Sequence, residues 1–149
     1  METISSSMAN PSGHTSPEVE GKVWNATQHA ATADQIVQGV VDLPAEARTG
    51  LAKLLTFEEL PTAEQLRIRS CMVVGCLLAA GAKSGDKVMV GGAPFFMEEL
   101  SHSLRESGLI PVFAFSRRES VEQVLEDGTV RKVAVFRHLG FVYPETPQP

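Results

Sequence analysis

Four polar residues suited to small-molecule recognition follow the first apolar run of the chain. They are Asn25, Thr27, Gln28 and His29 in the segment NATQHAAT. Asn and Gln amides present a donor beside an acceptor, as the edge of a base or a ribose requires, and a loop histidine can donate to phosphate or transfer protons. The segment therefore predicts contacts to a phosphate-bearing small molecule. The alternative is structural, with Asn25 and Thr27 bonding only the local backbone and His29 an exposed turn residue.

Two adjacent glycines mark a second candidate segment. In VMVGGAPFFM an apolar run stops at Gly91 and Gly92, and a helix-like pattern begins at Pro94. Glycine permits a positive φ or close approach of a ligand to the backbone, and a helix N-terminus favours negative charge. We expect this turn to meet a phosphate and Phe95 to stack on a base. A turn whose glycines serve packing alone is the alternative, since neither the dinucleotide-binding nor the P-loop glycine motif is present.

The segment SRRES supplies a third group. Arg117 and Arg118 follow the apolar run IPVFAF and lie close to the hydroxyls of Ser116 and Ser120. A guanidinium beside a hydroxyl suits recognition of phosphate or carboxylate. Because side chains alternate along a strand, the two arginines should point to opposite sides. The sequence favours Arg118, together with Ser116, as the residues that face the ligand.

His138, in VFRHLGF, is the last candidate for this site. If it lies near His29, the two imidazoles form an acid–base pair of the type that cleaves phosphodiesters without a metal. A purely structural His138 is the alternative. The acidic pairs Glu98-Glu99 and Glu119-x-x-Glu122 lack a His or Cys at ligand spacing, so the sequence predicts no metal site and no cofactor.

These residues require a sheet to position them. KVWNATQ, DKVMVGG and IPVFAFS are typical of buried strands, and an Asp127-Gly128 pair between two β-prone runs predicts a hairpin. The sequence thus predicts a small Rossmann-like α/β sheet of two or three layers, in the order βα, two further helices and βαβ, with an antiparallel hairpin at the end. Since ligands bind beyond the carboxyl ends of parallel strands, we expect the three polar segments to converge.

Local signals predict where the helices begin and end. TADQ and TAEQ are capping boxes, with Thr32 and Thr62 as N-caps, and Gly81 and Gly108 are expected to follow helix ends. A further helix is expected in LPAEARTGLAKLLTFEELP, bracketed by prolines. The helix PFFMEELSHSLRESG should bury one face, formed by the apolar residues Phe96, Leu100 and Leu104.

The composition is that of an ordinary globular domain. Of 149 residues, 43% are hydrophobic and 21% are charged, and the net charge is −5. We expect one α/β domain over residues 21–143, with disordered tails at 1–20 and 144–149 that are rich in Ser, Pro and Gly or in Pro. The negative charge argues against binding to a nucleic-acid polymer or an anionic membrane.

The location of the protein is predicted from its apolar segments and its cysteines. The longest apolar run, CMVVGCLLAAGA, is shorter than the ~20 residues of a membrane span, and the N-terminus lacks a secretion signal. Cys71 and Cys76 have neither redox-pair nor zinc-site spacing, so buried free thiols in a reducing compartment are expected. The sequence therefore predicts a cytoplasmic protein.

The segments NATQHAAT, VGGAPFFM, FAFSRRESVEQ and DGTVRKVAVFRHLGFV together resemble a family of small hypothetical proteins from bacteria and from phages or other mobile elements. The resemblance covers about residues 22–143. It implies no catalytic residue. It does imply a context, because small phage-encoded α/β proteins can bind or degrade nucleotide signals of host immunity.

Three hypotheses follow. The leading one is a module that binds a small anionic, nucleotide-like molecule, such as an immune signal sequestered by a phage or mobile-element protein. The second is a metal-independent phosphodiesterase or hydrolase that uses His29 and His138. The third is a protein-interaction domain in which the hairpin or an apolar helix face pairs with another copy or with a host protein. A homo-oligomer is compatible with all three.

Overall fold

The computed structural model describes residues 22–144. The predicted tails, residues 1–20 and 144–149, lie outside these residues except for position 144. Five strands and four helices occur in the order β1 (Val23–Ala26), α1 (Ala33–Val37), β2 (Val40–Val41), α2 (Ala45–Leu54), α3 (Ala63–Ala80), β3 (Lys87–Val90), α4 (Pro94–Glu106), β4 (Ile110–Val124) and β5 (Val130–Val142).

A single five-stranded sheet organises the described residues, in the strand order β2-β1-β3-β4-β5. The first four strands are parallel, and β5 runs antiparallel to β4. The predicted α/β architecture with a terminal hairpin is therefore confirmed. The two-residue strand β2 was not predicted, because Val40 and Val41 are too few to show a strand periodicity.

The local helix signals act as the sequence predicts. Thr32 caps α1 and Thr62 caps α3, and in both cases the glutamine three residues later completes the capping box. For α3, the Gln65 amide donates to the Thr62 hydroxyl at 3.1 Å, and the Thr62 amide donates to Gln65 Oε1 at 2.9 Å. Gly81 follows α3 with a left-handed φ of 115°. These helix ends depend on residues that are close in sequence, so they can be predicted without knowledge of the tertiary structure.

The main core lies between one face of the sheet and the three longer helices. Leu51 of α2, Leu77 of α3 and the predicted face of α4 pack there against alternate residues of the strands. Phe96, Leu100 and Leu104 are fully buried. A smaller cluster of Val23, Val40, Met89 and Val112 occupies the opposite face, with Ala31 and Phe141 packed against it. The helices thus bury one face of the sheet more extensively than the other.

The fourth strand corrects one prediction about the site. The sequence predicts that IPVFAFS ends near Ser116, which would place SRRES in a loop at the carboxyl edge. Instead β4 continues to Val124, so Ser116–Ser120 lie inside a strand. The reason is non-local: Phe113–Val124 pair with Val130–Val142, with an irregularity between Phe115 and Ser116. Antiparallel pairing with β5 provides hydrogen-bond partners for the backbone N–H and C=O groups of this segment, which in a loop would be left to water.

The two long strands form a ribbon that leaves the parallel sheet. β3 pairs with β4 only as far as Val112, and beyond that residue the described chain pairs β4 with β5 alone. We call Phe113–Val142 the ribbon. At its tip the Asp127 carboxylate accepts bonds from the amide and the hydroxyl of Thr129 at 2.9 and 2.6 Å, and Gly128 has a φ of 84°. The Asp-Gly hairpin is therefore confirmed.

The cysteines are less buried than predicted. Cys71 is exposed and Cys76 is partly exposed, and both are free thiols. The cause is α3 itself, which is apolar around much of its circumference and leaves Ile68 and Met72 about half exposed. Hydropathy alone therefore does not show which side of this helix faces inward. Between residues 22 and 144, no helix combines the length and the apolar character that a membrane span needs.

A three-residue charge cluster ties the two strands of the ribbon together. Glu119 accepts bonds from Arg137 and Arg117, each at 2.9 Å. These bonds, from Arg137 first and then from Arg117, hold the pKa of Glu119 below its ordinary value of 4.5. A carboxyl group with a lowered folded-state pKa stabilises the fold above its unfolded value and loses that effect as the pH falls through the folded value.

We therefore expect acidification to weaken the ribbon through Glu119. In the variant Glu119→Gln the bonds no longer depend on pH, so the acid-induced loss of amide protection in β4 and β5 should be smaller than in the wild type. Hydrogen exchange followed by NMR from neutral to acidic pH measures this. Glu126→Gln is the matched control, because Glu126 at the ribbon tip makes no ion pair within the described chain. An identical acid response in the two variants would contradict the role of Glu119.

Candidate functional site

A cavity of about 580 Å³ opens at the carboxyl ends of β1 and β3. Its wall contains the predicted residues Thr27, Gln28, His29, Gly91 and Gly92. The remaining lining residues are Ala30, Thr32, Gln35, Met89, Val90, Phe113 and Ala114. The structure thus brings the first two predicted segments together, as the shared edge of parallel strands requires.

Asn25 fixes the shape of the first segment from below the cavity. Its side chain is 4% exposed, and its Nδ2 donates to the His29 carbonyl and to Asp42 Oδ1, both at 2.8 Å. Its Oδ1 accepts from the Thr27 amide at 3.0 Å and lies 2.7 Å from the Thr27 hydroxyl. An amide offers two donors and one acceptor oxygen, and all are used here. Asn25 therefore holds the loop and has no free group to offer a ligand.

Two further contacts support the same loop from outside. Asp42 also accepts from the Ala31 amide at 3.1 Å, which joins the end of β2 to the loop. Gln28 Nε2 donates to the Thr56 hydroxyl at 2.8 Å.

The chain around Thr56 is held in turn by Arg69. The Arg69 guanidinium donates to the carbonyls of Leu54 and Thr56 at 3.1 and 2.6 Å and lies over the ring of Phe57. A cation at these carbonyls satisfies groups that the end of α2 leaves unpaired. The loop at residues 27–30 is thus connected to the helical layer.

The glycine turn forms the other side of the cavity. Gly92 has a φ of 149°, which side chains rarely allow, although a Cβ there would only touch Met97 Cε at 3.5 Å. Backbone conformation, rather than space, therefore requires glycine at this position. Helix α4 begins two residues later, with Pro94 in its first turn and no side-chain cap from Ala93. A helix start without a side-chain cap has N–H groups available to other acceptors.

His29 is the one titratable residue among those that line the cavity. Its imidazole is exposed and makes no hydrogen bond or ion pair within residues 22–144. It is therefore free to donate to or accept from a molecule in the cavity. The other lining residues are uncharged, with amides and hydroxyls from residues 27–35 and apolar residues from β3 and the start of the ribbon.

His138 and Ser116 line a neighbouring cavity of about 320 Å³. The two cavities share the walls formed by Thr32 and Gln35. His138 is 7% exposed, and its Nε2 lies 3.2 Å from Gln38 Oε1. Thr32 and Gln35 thus stand between this cavity and the one that His29 lines.

The Gln38 side chain contacts both His138 and the residue that follows it. Gln38 Nε2 donates to the Leu139 carbonyl at 3.5 Å, and Gln38 Oε1 lies 3.2 Å from His138 Nε2. His138 Nδ1 is buried without a hydrogen-bond partner among residues 22–144. The ring also packs edge-on against Phe141 at 4.9 Å between centroids.

The other two predicted residues lie elsewhere. Phe95 packs edge-on against Phe57 at 5.0 Å and lines a separate cavity with Glu98 and His102. Arg118 is exposed on the ribbon, directly across from Phe136, and lines neither cavity described above. The long strand β4 carries Arg118 beyond the carboxyl edge, which is why the expected convergence of three segments includes only two.

Several residues of the site were not predicted from the sequence. Asp42 follows the unpredicted strand β2, and Gln35 was recognised only as a capping residue. Met89 and Phe113 belong to predicted strands, but their direction toward the cavity depends on the pairing of β3 with β4. A polar residue directly after the apolar pair Val40-Val41 was the one available signal for Asp42. The described residues contain no group of three or more His, Cys, Asp and Glu that could hold a metal ion.

Comparison with known proteins gives the chain a family. The model of one family, described as the Uncharacterized protein MJ1673 family, matches residues 14–142, which is most of the chain. The chain belongs to the MJ1673 family. No curated protein matches the chain, and no solved structure does. The prediction of an uncharacterised family is thus confirmed, while the description of the MJ1673 family names no activity, and the bacterial or phage origin stays a prediction.

The Asn25 bonds predict a stability effect that can be measured directly. In Asn25→Ala, the Asp42 carboxylate and the His29 carbonyl each lose one of their hydrogen bonds, so the free energy of unfolding should fall by about 1–3 kcal/mol. Urea unfolding followed by circular dichroism gives this value. Thr27→Ser keeps the hydroxyl and is expected to change stability much less. A loss below that of Thr27→Ser would show that Asn25 does not hold the loop.

Proposed function

We propose that the cavity at the carboxyl ends of β1 and β3 binds a small, anionic, nucleotide-like molecule. The observation that carries the proposal is the junction of two backbone features around one opening: the loop at residues 27–30 and the turn at Gly91-Gly92. In α/β proteins this edge is where ligands bind, because strands end and helices begin there. The volume of about 580 Å³ is within the usual range for small-molecule sites.

The apolar and polar residues that line the cavity suit the base and the phosphate of a nucleotide, respectively. Phe113, which is partly exposed, is the aromatic residue of the lining against which a base can lie, a role that the sequence suggests for Phe95. Gln28 supplies its Oε1 and Gln35 its Nε2, because Gln28 Nε2 is bonded to Thr56 and Gln35 Oε1 to the Thr32 amide. The phosphate would lie by Gly92, at the start of α4, where backbone N–H groups and the helix dipole favour negative charge. His29 would add a hydrogen bond to it.

The remaining predicted residues have indirect parts in this proposal. Asn25 and Thr27 position the loop rather than contact the ligand. Ser116 and His138 line the adjacent cavity, so they would meet only a ligand that extends past Thr32 and Gln35. Arg118 would reach a ligand only from a second copy of the chain or after movement of the ribbon. The cavity wall itself carries no Lys or Arg, so affinity for phosphate would depend on backbone donors and on His29.

Hydrolysis of a phosphodiester by His29 and His138 remains the alternative. It requires that both imidazoles act on one bond. The geometry favours binding over this reaction, because His138 is buried and bonded to Gln38 while His29 lines the other cavity. Incubation of the protein with a bound nucleotide, followed by chromatography, separates the two: recovery of intact ligand supports binding, and its conversion supports the enzyme.

The biological setting that we propose is sequestration of a nucleotide signal, such as an immune signal, by a cytoplasmic protein of a phage or mobile element. This setting depends on the family resemblance rather than on the geometry, and it is a narrower hypothesis than nucleotide binding. It predicts that the ligand is a free nucleotide rather than a nucleic-acid polymer, in agreement with the net charge of −5.

A matched pair of histidine variants tests the proposed site. Isothermal titration with inorganic phosphate, adenosine and the common ribonucleoside monophosphates identifies a ligand. His29→Ala should then weaken its binding by about 10- to 100-fold, the effect of one hydrogen bond to a charged group. His102→Ala is the control, since His102 is exposed on α4, pairs with Glu106 at 3.4 Å and lines a different cavity.

Each result of that titration has a defined meaning. Equal loss of affinity, or none, in both variants would remove His29 from the site. Binding of adenosine as tight as that of its monophosphate would show that the phosphate is not recognised. Absence of binding by any of the probes would contradict the proposal for these ligands.

A further inference from the structure

One long edge of β4 has no partner within the described chain. β3 covers β4 only up to Val112, and Phe113–Val124 then pair with β5 on the other side alone. The outer edge of this segment therefore presents unpaired backbone N–H and C=O groups. An isolated two-stranded ribbon is marginal in water, and native proteins usually protect or pair such an edge.

The outer edge of β5 is protected by its charges. Between Val130 and Val142 the strand carries Arg131, Lys132 and Arg137 and contains no acidic residue. Pairing of this strand with a second copy of itself would bring six cations into adjacent strands. Like charges in neighbouring strands are destabilising. The edge of β5 is therefore unsuited to self-association.

The edge of β4 has a balanced and self-complementary charge pattern. Arg117 is already bonded to Glu119 inside the ribbon. Arg118 and Glu122 have no ion pair within residues 22–144, and they lie on the same side of the strand with Ser120 midway between them. Two opposite charges placed symmetrically about one residue are what a twofold antiparallel contact between identical strands requires.

We propose that two copies of the chain associate by antiparallel pairing of their β4 edges about a twofold axis at Ser120. In this register Arg118 of each copy lies opposite Glu122 of the other, so two ion pairs form and no like charges meet. The two ribbons become one four-stranded antiparallel sheet in the order β5-β4-β4-β5. Each β4 is then an interior strand, and the protected β5 edges lie outside.

The same register brings the second copy to the rim of the candidate site. Leu125, directly after the second copy's β4, lies opposite Phe115, next to the cavity residue Ala114. Phe115 is 51% exposed in the single chain, so this contact removes apolar surface from water. The association does not depend on the identity of the ligand and can be tested without one.

Charge reversal tests both the association and its register. Sedimentation velocity should show a dimer for the wild type. Arg118→Glu and Glu122→Arg each place like charges opposite one another twice, so each should raise the dimer dissociation constant about tenfold or more. An equimolar mixture of the two variants should restore a dimer, because the two acidic side chains of one copy then face the two basic side chains of the other. Arg131→Glu, on the β5 edge, should remain dimeric.

Cysteine cross-linking gives an independent measurement of the register. In a chain with Cys71→Ser and Cys76→Ser, Ser120→Cys places two thiols across the axis. Opposite Cα atoms in antiparallel strands are ~4.5–5.5 Å apart, within disulfide range. Mild oxidation should therefore give a covalent dimer. The control Ala134→Cys, opposite Ser120 on β5, should not cross-link.

The unfavourable outcomes are equally specific. A wild-type chain that sediments as a monomer across the accessible concentration range would overturn the proposal. A dimer that persists in both charge-reversal variants, or a mixture of them that does not recover a dimer, would overturn the β4 register. Recovery in the mixture also shows that the single variants are folded, which distinguishes a lost interface from a lost structure.

Discussion

A single buried amide determines the geometry of the candidate site. Asn25 stands at the point where β1 ends, and its four contacts join the loop at residues 27–30 to itself and to Asp42 after β2. Buried polar groups are tolerated only when they are bonded, so the loop cannot rearrange without leaving several groups unsatisfied. The position of His29 is thereby set by a residue that never needs to touch a ligand.

The parts of the fold that could be predicted are those set by nearby residues or by strict pattern. Thr62 and Gln65 define a helix start because both capping bonds span three residues, and the Asp127-Gly128 turn is equally local. The length of β4 could not be predicted, because it depends on pairing between Phe113 and Val142, which are far apart in sequence. Cys71 was misplaced for a related reason, since α3 has apolar residues on nearly every side and its orientation depends on what packs against it.

The candidate site was predictable to the extent that it follows from strand ends. Gly92 and His29 meet because β1 and β3 are parallel neighbours, and parallel strands end at one edge. Phe95 and Arg118 do not line this cavity, because their positions depend on the paths of α4 and β4, which the sequence does not give. The structural alternative for Asn25 and Thr27 is the one whose bonds are observed. The types of the polar residues therefore indicated where the cavity lies more reliably than which side chains line it.

Val112 divides β4 into two parts that have different neighbours. Up to Val112 the strand pairs with β3 and packs against the hydrophobic core, and beyond Val112 the same backbone continues into the ribbon. The first residues of the ribbon, Phe113 and Ala114, form part of the cavity wall, and Gln38 contacts the other strand of the ribbon at His138 and Leu139. One backbone therefore contributes to the sheet, to the wall of the candidate cavity and to the exposed edge of the ribbon, so a shift of the ribbon at its base would also alter the cavity wall.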